Sequence, residues 1–172
     1  VRLVASGKIY SAMGLAHNLA LGADWCNAAR AFMFSIGCIQ AKRCHLGTCP
    51  TGVTTQDPWR QRGLVPEVQA KRAERFHRKT LTALADIVAA AGLTHPQDLQ
   101  PHHLTTRISA AEARPMGELH TFLPENILID APQDTIYGAW WEAADAETFK
   151  SRIDLVERVT ESRRQDAERG EA

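Results

Sequence analysis

The sequence predicts an α/β fold: a strand–helix–strand–helix unit, then a long cysteine-bearing loop, then a helical C-terminal region. Three observations predict it. Two short apolar runs, residues 1–5 and 23–28, flank a stretch whose apolar residues follow helical rather than alternating spacing. A second, longer helical period occupies residues 64–91. The composition, 44% hydrophobic and 23% charged over 172 residues, is that of a chain able to bury a core.

The first run stops at Ser6-Gly7 and reads as a strand. Residues 10–21 carry Met13, Leu15, Ala16, Leu19 and Ala20 at helical spacing, and Gly22 stands where a helix end favours a left-handed residue. Residues 23–28 form the second strand and residues 30–36 the second helix, so the two strands are expected to pair in parallel across a helical crossover. Residues 37–63 hold three of the four cysteines and few apolar residues, the pattern of an irregular functional loop. In the long helix, Val68, Ala73, Phe76, Leu81, Leu84, Ile87, Val88 and Ala91 share one side, Pro66 suits the first turn and Gly92 the stop. Lys71, Arg72, Arg75, Arg78 and Lys79 make the opposite, solvated face. Thr94-His95-Pro96-Gln97 is expected to open a short helix through a capping box. Beyond residue 110, prolines punctuate the chain up to Trp140-Trp141, and residues 150–172 are expected to form a marginal helix that frays.

The chemistry concentrates in Cys38-Ile-Gln-Ala-Lys-Arg-Cys44-His-Leu-Gly-Thr-Cys49-Pro50. Thiolates are soft anionic ligands, and three of them in one glycine-containing loop can converge on an iron–sulfur cluster or on zinc. Gly37, Gly47 and Gly52 let the backbone wrap closely, while Lys42, Arg43 and His45 add positive charge that would tune a bound cluster. Five residues separate Cys38 from Cys44-His45, too many for haem attachment. Zinc would need His45 or another residue as fourth ligand, and purely structural cysteines remain the plainest alternative. Cys26 is set apart in the second strand and is expected to be a buried apolar thiol.

Two strand ends suit an anion. Ser6-Gly7-Lys8 follows the first strand and Ala29-Arg30 follows the second, offering close backbone approach, a lysine and a forked guanidinium. Twenty Lys and Arg balance twenty Asp and Glu, which argues against a nucleic-acid binder. No apolar run approaches the ~20 residues of a membrane span. His95, His102 and His103 read as packing or surface residues, and no Ser/His/Asp or paired-carboxylate arrangement stands out for acid–base catalysis. Residue 1 is Val within a strand already under way, so the sequence is expected to be the C-terminal piece of a longer, cytoplasmic protein.

Together these residues resemble the FMN-binding domain of glutamate synthases, in its stand-alone form without an amidotransferase part. The resemblance runs from Leu3 to about Leu104 and is most specific at Gly37-Cys38-Ile39, Cys44-His45 and Thr48-Cys49-Pro50-x-Gly52-Val53-x-Thr55-Gln56. Val4-Ala5-x-Gly7 and Leu21-Gly22-Ala23 match its last two barrel strands. It implies the last two strands of a (β/α)₈ barrel in residues 1–104 and a C-terminal extension in 105–172. It also implies Cys38, Cys44 and Cys49 as ligands of a [3Fe-4S] cluster, with Ser6, Gly7, Lys8, Ala29 and Arg30 near the FMN phosphate. The implied reaction reduces 2-iminoglutarate, formed from 2-oxoglutarate and ammonia, to L-glutamate, with electrons from ferredoxin or a reductase subunit. A related scaffold making an N-substituted glutamate is the neighbouring expectation. The chain departs from the family in having Gly7-Lys8 for a Gly-Gly pair and Ala29-Arg30 for a Gly-Thr. Catalytic residues of the family lie on earlier strands, upstream of Val1, so this segment alone is not expected to turn over.

Overall fold

The computed structural model describes residues 1–150, 152–158, 160 and 161. These form two compact units, the first Val1–His120 and the second beginning at Thr121. No helix among the described residues is long and apolar enough to cross a membrane.

The first unit opens with β1 (Val4–Ser6), α1 (Ala12–Ala20), β2 (Trp25–Asn27) and α2 (Ala29–Ser35). β1 and β2 pair in parallel with Ala5 opposite Cys26, as the strand–helix–strand pattern predicts. Asp24 fastens this edge: its carboxylate accepts from the Leu3 amide at 2.6 Å and from Arg2 at 2.6 Å. The Arg2 guanidinium, and then the Leu3 amide, hold the Asp24 carboxyl below the usual carboxylate range. α1 starts on Ser11, whose hydroxyl accepts from the Gly14 amide, and its alanines at positions 12, 16 and 20 are buried on one face. Four-residue spacing keeps those small side chains in one row, so a neighbouring helix can come close.

That neighbour is α4 (Pro66–Ala90), which presents Leu84 and Val88. Leu99, Leu104 and the fully buried Met116 complete the core. The predicted apolar side of α4 is only partly used: Phe76 meets Phe32 edge to face and Leu84 and Val88 are buried, whereas Val68 and Leu81 are about half exposed. Lys71, Arg72, Arg75, Arg78 and Lys79 are exposed, as expected of a solvated face.

Three helices end in the same way. In α1, α2 and α4 a glycine (Gly22, Gly37, Gly92) with φ of 102°, 103° and 74° follows the last helical turn. In each, the next residue's amide returns to a carbonyl five positions back: Ala23 to Asn18, Cys38 to Met33 and Leu93 to Val88. At Pro96–Asp98 the sequence expectation needs correction. The turn is a 3₁₀ turn capped by His95, whose Nδ1 accepts from the Gln97 amide, so no Thr94 capping box forms. A hairpin that the sequence reading lacked pairs β3 (Thr105–Arg107) with β4 (Ala113–Pro115). It leads into α5 (Met116–Leu119), which carries Met116 to the first unit's core.

In the second unit, α6 (Ile127–Asp130) and α7 (Gly138–Ala143) are short. Ala139 and Ala143 pack with Val156 from a helical segment over 153–158. Trp140 and Trp141 lie on α7 and are half exposed. Of the marginal, fraying helix expected over 150–172, residues 153–158, 160 and 161 are helical, and residues 162–172 lie outside the described residues.

Candidate functional site

At the ends of β1 and β2 the structure forms a hollow of about 490 Å³, within the range of small-molecule sites. Ser6, Gly7 and Lys8 line it from the β1 end, Ala29 and Arg30 from the β2 end, and Cys38 and Cys44 from the cysteine loop. All five strand-end residues singled out for an anion therefore face one space with two of the three loop thiols. Lys8, Arg30 and Lys42 are the charged groups on its wall; no carboxylate lines it among the described residues. Such a wall favours an anion, and the charges are exposed enough to neutralise one without prior burial cost.

The first cysteine is positioned by helix geometry. α2 begins at the strand end and closes on Gly37, and the Cys38 amide is spent on that closure, which turns the thiol-bearing residue out of the helix. Cys44 opens a 3₁₀ turn, Cys44–Leu46, that ends on Gly47 in the left-handed region. Cys38 is half-buried, Cys44 exposed and Cys49 buried, and all are free thiols.

Cys49 lies outside the hollow's lining. Its Sγ is 3.3 Å from the Thr51 hydroxyl. Donation from that hydroxyl, then from the Thr54 amide, brings the Cys49 thiol down to about 6, against an ordinary value of 9.0. A thiol lowered that far is mostly thiolate at neutral pH, the form that binds metals. The Thr54 hydroxyl, buried in the same turn, adds slightly to that lowering.

The loop is held by polar bonds. Thr48 and Thr55 form an antiparallel bridge. The buried Thr55 hydroxyl donates to the Gly47 carbonyl at 2.6 Å and accepts from the Asp57 amide, while its carbonyl accepts from Gln61 at 2.8 Å. Asp57 in turn caps α3 (Pro58–Gln61) through the Trp59 amide. Of the three loop glycines read as wrapping points, only Gly52 makes a close approach. A Cβ there would sit 2.2 Å from the Arg60 carbonyl oxygen, whereas Gly37 and Gly47 have open space and serve only to reach positive φ.

Among the described residues, no group of three or more His, Cys, Asp or Glu side chains is gathered closely enough to hold a metal ion. The fit to a sulfur-liganded group is therefore one of donor chemistry: three soft thiols in one loop, one of them held as thiolate. Cys26 lies apart from them, lining a separate cavity of about 180 Å³ with Phe32 and Phe76, where burial pushes its thiol up. His95 and His103 act as caps, each accepting a backbone amide through Nδ1.

Sequence reasoning missed Gln40 altogether and read Lys42 only as charge near a cluster; both also line the hollow. Lys8, Gln40 and Lys42 have φ of 56°, 57° and 54°, so three of the four non-glycine residues at positive φ among the described residues line this one hollow. Nothing in their residue types announces that conformation.

Residues 1–94 match the family described as a conserved region in glutamate synthase. The glutamate synthase large subunit-like protein YerD of Bacillus subtilis is 40% identical over 107 residues, covering 62% of this chain and 20% of that protein. An archaeal-type glutamate synthase [NADPH] of Thermotoga maritima is 32% identical over 98 residues, 57% of this chain and 19% of the relative. The archaeal glutamate synthase [NADPH] of Methanocaldococcus jannaschii is 31% identical over 100 residues, 58% and 20% respectively. The matched segment thus spans about 20% of each of these relatives. No solved structure matches the chain.

Proposed function

We propose that this chain, which belongs to the glutamate synthase family, contributes the flavin-phosphate end and the iron–sulfur loop of an oxidoreductase that reduces 2-iminoglutarate to L-glutamate. On this reading its two parallel strands are the last of a (β/α)₈ barrel. One observation carries the proposal: two successive strand ends and the loop bearing Cys38 and Cys44 open onto one cationic hollow.

When bound, FMN supplies two-electron chemistry and a [3Fe-4S] cluster supplies one-electron relay. The chain's own residues do the holding. Gly7, at φ of 96°, leaves its backbone bare for an anion, and Lys8 and Arg30 place charge at the two strand ends. Cys38, Cys44 and Cys49 would hold the cluster, and Thr51 keeps Cys49 in the ligating, deprotonated form. Ferredoxin or a reductase subunit would be the electron source, and the ammonia-derived imine the acceptor.

Anaerobic purification of the intact protein tests this directly. Flavin absorbance with iron and acid-labile sulfide in near-equal amounts is expected. A colourless protein carrying zinc and no iron would overturn the reading in favour of a zinc-stapled loop. Turnover with ammonia against methylamine then separates glutamate from an N-substituted glutamate as product.

A further inference from the structure

The hollow has a third wall that the strand ends do not supply. The link between Cys38 and Cys44 turns through Gln40 and Lys42, both in the left-handed region, and both side chains line the same space as Lys8 and Arg30. A residue with a Cβ is strained there, and glycine would relieve the strain. Both side chains are exposed, and neither makes a hydrogen bond or ion pair among the described residues. Strain concentrated on one cavity wall is the usual mark of a ligand-facing surface.

We propose that Lys42 and Gln40 complete a phosphate-monoester site whose other walls are Gly7-Lys8 and Ala29-Arg30. The cysteine loop then clasps the same anion that the strand ends receive. Lys42 supplies a charge-assisted contact and Gln40 an amide donor. Occupancy of the hollow in turn fixes the Cys38–Cys44 link, so anion binding orders the loop that carries the thiols. This rests on the reading of the hollow as the flavin-phosphate end.

Fluorescence-quenching titrations of the flavin-stripped intact protein with FMN and with riboflavin test it. Wild type is compared with Lys42→Gln, Lys42→Gly, Gln40→Gly and, as a charge control on the solvated face of α4, Lys71→Gln. Loss of one charge-assisted contact predicts about tenfold weaker FMN binding for both Lys42 variants. Riboflavin, which lacks the phosphate, should bind equally to all, and Lys71→Gln should match wild type. The glycine variants should keep or raise the thermal midpoint, which separates a binding role from a structural one. FMN affinity unchanged in Lys42→Gly and Lys42→Gln, with wild type binding FMN, overturns this assignment alone. A wild type that binds no FMN overturns the flavin reading and this one with it.

Discussion

Replacing Gly52 by alanine should damage the cysteine loop far more than the same change at Gly47, although both glycines lie in that loop and both have positive φ. At Gly47 (φ 65°) the added Cβ meets nothing within 4 Å, so the cost is left-handed strain alone, about 1 kcal/mol. At Gly52 (φ 79°) the same strain applies, and the Cβ also falls 2.2 Å from the Arg60 carbonyl oxygen and 3.1 Å from its carbon. Those atoms are backbone, and the oxygen already accepts from the Gly63 amide at 3.1 Å. The loop or α3 must shift by about 1 Å, and overpacking of that kind costs roughly 1–3 kcal/mol. Gly52→Ala should therefore lose about 3 kcal/mol against about 1 kcal/mol for Gly47→Ala. Urea unfolding followed by circular dichroism measures both, and the gap corresponds to a further fall of about 6 °C in thermal midpoint. On the proposed iron–sulfur reading, Gly52→Ala should also retain less iron. Equal losses for the two variants would mean that the Gly52–Arg60 approach does not exist.

Three further outcomes follow from the same geometry. Met116→Ala removes a side chain with no exposed surface and should cost about 2–5 kcal/mol in denaturant unfolding, while leaving the second unit's helices intact. Asp24→Asn removes a carboxyl held below its ordinary value of 3.8. Wild-type stability from this group is present above that value and lost as pH falls through the lower folded one. The variant should therefore be weaker at neutral pH and show a flatter acid dependence below about pH 4, read from midpoints across pH. Thr51→Val deletes the main hydroxyl donor to Cys49. The Cys49 thiol should then titrate well above 6 in the metal-free protein, seen as thiolate absorbance in the ultraviolet, and an unmoved titration would assign the lowering elsewhere.

The parallel strands and the helices joining them were legible because each carries its own local signal. α1 shows its alanine row, and Gly22 and Gly92 mark stops that need positive φ. β3 and β4 escaped because Thr105–Arg107 and Ala113–Pro115 lack the apolar runs that marked β1 and β2. The exposed Val68 and Leu81 show the opposite limit: periodicity identifies a helix's apolar side but not which of its positions a core will cover. Cys38, Cys44 and Cys49 stand out by residue type and Lys42 by its charge, but nothing in the sequence placed Gln40 or Lys42 on the hollow. Their place on the wall depends on a left-handed backbone that neither side chain encodes.

The shortness of α2 is what joins the two halves of the candidate site. Seven residues at about 1.5 Å each make a helix roughly 10 Å long. It begins beside Ala29 and Arg30 at the strand end, and Gly37 reverses the chain at its far end, so Cys38 has no length of helix to carry it away from the hollow. Residues 38–44 then return along the wall through two left-handed positions instead of extending into solvent. A longer α2 with the same cysteine spacing would separate strand ends from thiols by about 5.4 Å per added turn. Conversely, the spacing between cysteines alone could not bring Cys38 and Cys44 to the hollow without a helix of this length. The relevant motif is therefore the whole stretch from Ala29 to Cys49, a strand end with Arg30 on the hollow, a short helix closed by glycine and a returning thiol loop, rather than the cysteine triplet on its own.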